Sequence, residues 1–89
     1  SNQERQYYYV AILESLYILK KRRKMATYSK TVENVSSHSG VSKERIQAAL
    51  NDLMNNKYLN MTEKKYKGRK PKILEADWNR LKEDGLWDK

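Results

Sequence analysis

TVENVSSHSGVSKERIQAALNDLMNNKYL, residues 31–59, reads as two short helices joined by a tight turn, and the rest of the chain is arranged around it. Gly40-Val41-Ser42 is the turn. Glycine takes a positive φ without steric cost, so Gly40 suits a left-handed cap on the first helix, and Ser42 is a favoured N-cap for the second. Val41 is the apolar residue that such a turn buries. After it, Ile46, Ala49, Leu50, Leu53 and Met54 recur at helical spacing and form one face, while Lys43, Glu44, Gln47, Ala48, Asn51 and Asn55 form the other. That second face is rich in amides. Gln and Asn can pair bidentately with the adenine edge and Lys with guanine, while a small alanine leaves room for a thymine methyl. Any exposed helix face is polar, however, so the surroundings must decide.

Beyond the helix, Asn55-Asn56-Lys57 ends the pattern and Tyr58-Leu59-Asn60-Met61-Thr62 begins a strand with Leu59 and Met61 facing in. Lys64-Lys65-Tyr66-Lys67-Gly68-Arg69-Lys70-Pro71-Lys72 follows, with six basic residues in nine, and Ile73-Leu74-Glu75-Ala76 returns as a second strand. Gly68 permits a turn and Pro71 excludes a central-strand role, so the piece is a hairpin tip. A tip this charged repels itself unless an anion lies beside it. Arg69, between Gly68 and Pro71, can enter the narrow minor groove of A·T-rich DNA, where the potential is most negative. A solvated loop that aids solubility is the plainer alternative.

Gly40-Val41-Ser42, Val35 in the preceding helix, Ile46, Ala49-Leu50 and Leu53 together resemble a helix-turn-helix. Lys57-Tyr58-Leu59-Asn60-Met61 and Gly68-Arg69-Lys70-Pro71-Lys72 resemble the strand and basic loop of its winged variety, as in the MarR, PadR and ArsR regulator families. The resemblance covers roughly residues 8 to 86 and is specific to the superfamily rather than to one family. Ser36 and Ser39 depart from it, standing where such proteins carry alanine and a larger apolar residue. The positioning helix, read from a cap at Ser29 or Thr31 to Ser39, is therefore expected to pack loosely or to start a residue or two away.

The resemblance implies an α+β, mainly α fold: a winged helix-turn-helix over residues 5–87, with three core helices, a β-hairpin wing and a short C-terminal helix. It also implies a sequence-specific double-stranded DNA-binding protein, a transcriptional regulator. Helix 42–56 would read the major groove through Ser42, Lys43, Glu44, Gln47 and Asn51. Wing 63–73 would grip backbone and minor groove through Lys65, Lys67, Arg69, Lys70 and Lys72. Ser29, Thr31 and Tyr28 would hold a phosphate at the N-terminus of the positioning helix, although capping explains them equally well. The alternative is a winged-helix protein–protein interaction module, or an architectural module of a plasmid or replication complex, with an acidic protein as partner.

Toward the N-terminus, residues 5–23 (RQYYYVAILESLYILKKRR) carry the longest helical pattern. Tyr9, Ile12, Leu13 and Leu16 centre its core face, flanked by Tyr8 and Leu19 on one side and by Val10 and Tyr17 on the other. Tyr7, Ala11 and Ile18 fall on the far side. A helix apolar almost all round needs a second packing partner, and a homodimer through Tyr7, Ala11, Ile18 and Trp87 is the expectation. Alternatively, the C-terminal segment with Trp78 and Trp87 folds back over the helix within one chain.

Lys20-Lys21-Arg22-Arg23-Lys24 suits the negative end of the helix dipole, attracts phosphate, and also resembles a nuclear-localisation signal; a solvated, phosphate-attracting patch is preferred. Met25-Ala26-Thr27-Tyr28 reads as a small strand pairing with the wing. Asp77 caps a last helix, Trp78–Asp84, stopped by Gly85.

The chain has 89 residues, enough for one domain, with 19 Lys and Arg against 11 Asp and Glu, a net charge of +8 and a pI near 9.7. That balance points to a polyanionic partner. No apolar run approaches the ~18 residues that span a bilayer and no signal peptide is read, so an intracellular, cytoplasmic, nucleoid-associated protein is expected, nuclear if the source is eukaryotic. Without cysteine there are no disulfides or thiolate sites, and the one histidine, His38, reads as a surface residue. No metal and no cofactor are expected. No nucleophile–base pair or phosphate-cradling loop suggests an enzyme. Residues 1–4 read as a disordered or tag-derived N-terminus, and the chain is a candidate piece of a larger parent protein.

Overall fold

In the computed structural model, which describes residues 2–89 with side chains from Arg5 onward, six elements follow one another. They are α1 (Asn2–Lys21), α2 (Tyr28–Ser39), α3 (Lys43–Asn55), β1 (Leu59–Glu63), β2 (Lys72–Ala76) and α4 (Trp78–Glu83). The fold is α+β and mainly helical. The expectation for the N-terminus lies, at Ser1, outside the described residues; from Asn2 the backbone is already helical. No helix among the described residues is long and apolar enough to cross a membrane.

The core lies where the three longer helices meet the base of the hairpin. Ile12, Leu13, Ile46, Leu50, Leu53 and Leu81 are fully buried, joined by Leu16, Val32, Val35, Leu59 and Leu74. Each large aliphatic buried in this way contributes about 1.5–3 kcal/mol of transfer free energy. Val10, expected on the flank of this face, is instead exposed. In the N-terminal half of α1 Tyr8 and Tyr9 face α3, where Arg45 donates to the Tyr8 hydroxyl (3.4 Å) and Tyr9 donates to Asp52 (3.5 Å), while Val10, on the other flank of the helix, is left in solvent.

The turn between α2 and α3 forms as its residues suggest. Gly40 adopts φ 73° and its N–H reaches the Ser36 carbonyl; Ser42 caps α3, accepting from the Arg45 N–H. Ser36 and Ser39 have a local task. Ser36 Oγ donates to the Val41 carbonyl (2.6 Å), and Ser39 Oγ accepts from the Val41 N–H (3.2 Å) while donating to the Val35 carbonyl (2.6 Å). They lash the turn to the end of α2.

α2 starts earlier than a cap at Ser29 or Thr31 would place it, counted from Ser29 by the residue or two that the serines of the sequence allowed. Its N-cap is Thr27, in extended conformation and accepting from the Lys30 N–H, not Ser29 or Thr31. The extended backbone ends there because Ala26 accepts from the Leu74 N–H (2.7 Å) and Thr27 forms one bridge with Ile73. The strand read over Met25–Tyr28 is thus a single bridge, and Tyr28 already belongs to the helix.

β1 and β2 pair antiparallel from Leu59↔Ala76 to Glu63↔Lys72. The same register continues outward: Lys64 donates to the Pro71 carbonyl, and Tyr66 and Arg69 exchange both backbone hydrogen bonds at 2.8 and 2.9 Å. Lys67 (φ 49°) and Gly68 (φ 77°) turn the chain. Positive φ at both central positions is the requirement of a two-residue type I′ hairpin, whose twist matches that of its strands. The tip is therefore an ordered ribbon.

The C-terminal segment folds back on α1. Trp87 is buried against Tyr17 and Trp78, all three ring centroids lying 5.2–5.5 Å apart. This removes Trp87 from the expected dimer surface, because its ring completes the chain's own core.

Candidate nucleic-acid interface

α3 has two unlike faces. Ile46, Ala49, Leu50 and Leu53 are locked into the core, whereas Lys43, Glu44, Gln47, Ala48, Asn51 and Asn55 are exposed. The side chains of Lys43, Glu44, Gln47 and Asn51 make no hydrogen bond or ion pair with another described residue. Ser42 is exposed but engages its hydroxyl in the cap. Asp52, the second acid of the helix, is half-buried and accepts from Tyr9, leaving Glu44 as the acid on the outer face. Burial, and then the Asp52 carboxylate, push the Tyr9 phenol above its ordinary range.

The hairpin beyond Glu63 is exposed and basic. Lys64 is held 3.6 Å from Glu75, while Lys65, Lys67, Arg69, Lys70 and Lys72 have no ion pair with another described residue. Lys67 lies over the Tyr66 ring at 5.5 Å. Tyr66 itself, half exposed on a cationic ribbon, is an aromatic surface that the sequence reading passed over; its pairing with Arg69 across a Lys-Gly turn was the available signal. Arg45 was also passed over. It is exposed beside the outer face of α3 and steadied by Tyr8, a contact between residues 37 positions apart that no local pattern announces.

At the start of α2, Ser29 is exposed and Tyr28 half-buried, but Thr31 is only 1% exposed and cannot meet a phosphate. Starting the helix at Tyr28 puts Thr31 on the same side as Val32 and Val35, facing the core. The basic run divides. Lys20 lies over Trp78 and Lys21 over Tyr17 at 5.4 and 5.5 Å, so both help cover the aromatic cluster, while Arg22, Arg23 and Lys24 leave the helix exposed, Arg23 in the left-handed region. His38 is exposed and bonds the Asn34 carbonyl through Nδ1. No group of metal-ligating side chains occurs among the described residues.

Comparison of the chain with protein-family models, with curated proteins and with solved structures finds no match.

Proposed function

We propose that this chain is a winged helix-turn-helix domain that binds double-stranded DNA with sequence preference and acts as a transcriptional regulator. The observation that carries the proposal is the outer face of α3: amide and charged side chains without internal partners, on a helix whose opposite face is fixed in the core. Such groups are held ready for an external partner at little ordering cost beyond their own rotamers. Lys43, Gln47 and Asn51 read base edges in the major groove, with Glu44 accepting from cytosine. Lys65, Lys67, Arg69, Lys70 and Lys72 neutralise backbone and reach the minor groove, while Ser29, Tyr28 and the capping residue Ser42 lie toward phosphate oxygens. The chain works by binding; no residue is assigned a catalytic role.

Selection of bound duplexes from a random pool, followed by gel-shift titration, tests this. If about six phosphates are neutralised, log affinity falls against log salt with a slope of roughly −5. Asn51→Ala or Gln47→Ala is expected to cost ~1–3 kcal/mol on the selected site and little on random duplex, whereas Arg69→Ala weakens both. Equal losses on both sequences would remove Asn51 from the reading set. An absence of retardation at low micromolar protein and moderate salt overturns the proposal in favour of an interaction module for an acidic protein.

A further inference from the structure

The hairpin tip carries an aromatic ring that the core does not use. Tyr8, Tyr9, Tyr17, Tyr28 and Tyr58 all pack against the core, and Tyr7 rests edge-on against Tyr8 with ring centroids 6.1 Å apart. Tyr66 does neither. It is 50% exposed and stands three residues beyond Glu63, the last residue of β1, so about 10 Å farther out along the ribbon. A lone exposed aromatic is ordinary on a protein surface, but this one is held in place. Tyr66 and Arg69 exchange both backbone hydrogen bonds, and the Lys67-Gly68 turn closes the ribbon immediately beyond them. Directly opposed residues project from one face of a ribbon, so the phenol and the Arg69 guanidinium point to the same side. Lys67 lies over the ring at 5.5 Å. Solubility alone asks for the cations of this tip and not for the ring.

We propose that Tyr66 is a base-stacking site and that the hairpin tip binds DNA where a base face is open, at a duplex end that continues as single strand. This rests on the DNA-binding reading of the chain and names the form of DNA its hairpin takes. An aromatic ring set among unpaired cations offers both things such a target needs: charge for the backbone, and a π-face on which any base stacks regardless of sequence. Inside an intact duplex every base is covered on both faces. Inserting Tyr66 there would unstack a step and bury the phenol hydroxyl between base pairs without a partner. At an open end the ring covers the outer base face while its hydroxyl stays in water. Arg69, projecting to the same side, then lies against the backbone beside that end. Because the ribbon is closed by its own turn and tyrosine has only two side-chain torsions, little ordering is left for binding.

The test compares two forms of one short duplex under the same salt. One carries single-stranded extensions; the other has its strands joined at both ends by polyether linkers, which leave no unpaired base and cover the terminal pairs. The whole chain is expected to bind the extended form tighter by about fivefold or more, the low end of what one base–aromatic stack supplies. Tyr66→Val keeps the strand preference of the position but has no ring. It should bring the two forms to equal affinity while leaving binding to the closed form unchanged, with the circular dichroism of the parent. Tyr66→Trp, which restores a ring, should keep the preference. A 2-aminopurine at the first unpaired position gives a direct readout, its fluorescence being quenched by the parent chain and by Tyr66→Trp but not by Tyr66→Val. Equal affinity of the parent for both forms overturns this proposal and leaves the DNA-binding reading standing, and so does a preference that survives in Tyr66→Val. Binding to neither form overturns both.

Discussion

Of the three glycines in the left-handed conformation, the one between two helices and the one at the hairpin tip differ in what depends on them. Gly40 (φ 73°) and Gly68 (φ 77°) both have open space where a Cβ would stand. Gly40 sits between α2 and α3, its neighbours tied by Ser36 and Ser39, and the helices on either side bury Val35, Ile46 and Leu50. Gly68 is held by the Tyr66–Arg69 pair at the end of a ribbon whose residues are solvated from Glu63 to Lys70. The local backbone demand is equal. What differs is whether a disturbance there reaches the core, so the stability of the fold resides with the first turn and most of the unpaired charge with the second.

The largest expected effect lies under the first turn. Leu50→Ala removes a fully buried side chain from α3 and should lower unfolding free energy by ~2–5 kcal/mol in urea titrations, a large share of what an ordinary domain possesses. Tyr66→Ala deletes a larger side chain from the ribbon yet should change it by less than ~0.5 kcal/mol, since half of that ring is in water already. Comparable losses from the two variants would break the contrast.

Substituting the glycines themselves sharpens it. Gly40→Ala should cost ~1–2 kcal/mol of global stability, the penalty of a left-handed alanine. Gly68→Ala carries the same penalty but should discharge it locally: faster hydrogen exchange at the Tyr66 and Arg69 amides with an unchanged unfolding midpoint. Ser36→Ala, which removes the 2.6 Å bond to the Val41 carbonyl, is expected to cost about 1 kcal/mol globally. No equivalent bond exists to remove near Gly68.

Much of the first region was legible in residues 31–59, because turn chemistry and helical periodicity act over a few positions. Gly40, Ser42 and the spacing of Ile46, Ala49, Leu50 and Leu53 led to α3 with its cap in place. The hairpin was legible for the same reason, although the regularity of its tip depended on Lys67 accepting a positive φ, which lysine seldom does. What stayed illegible came from contacts across the chain. Thr27 caps α2 because Ala26 and Thr27 meet the second strand, roughly fifty residues on, and Thr31 is buried as a result. Trp87 faces inward because Tyr17 and Trp78 await it. For the candidate site, exposure of the α3 face could be read from its period, whereas the support Tyr8 lends Arg45 could not.

The smallest effect concerns the base of the hairpin, where neither turn is involved. The Tyr58 hydroxyl donates to Asp84 at 2.6 Å, and the Arg80 guanidinium lies 4.7 Å from the centre of the Tyr58 ring, joining the start of the hairpin to the end of α4. The bond to the Asp84 carboxylate, with some burial behind it, holds the phenolic proton and raises the Tyr58 pKa, although Arg80 opposes the shift. A raised pKa in the folded state means that the protonated phenol is favoured by folding, so its stabilising contribution is fully present below the ordinary tyrosine value of about 10 and is lost as pH rises through the folded value. The stability difference between the parent chain and Tyr58→Phe should therefore be constant through neutral and mildly alkaline pH and shrink above it, read from urea midpoints at each pH. A difference that holds steady into strong alkali would mean that ring packing against Arg80, rather than the hydrogen bond, joins α4 to the hairpin.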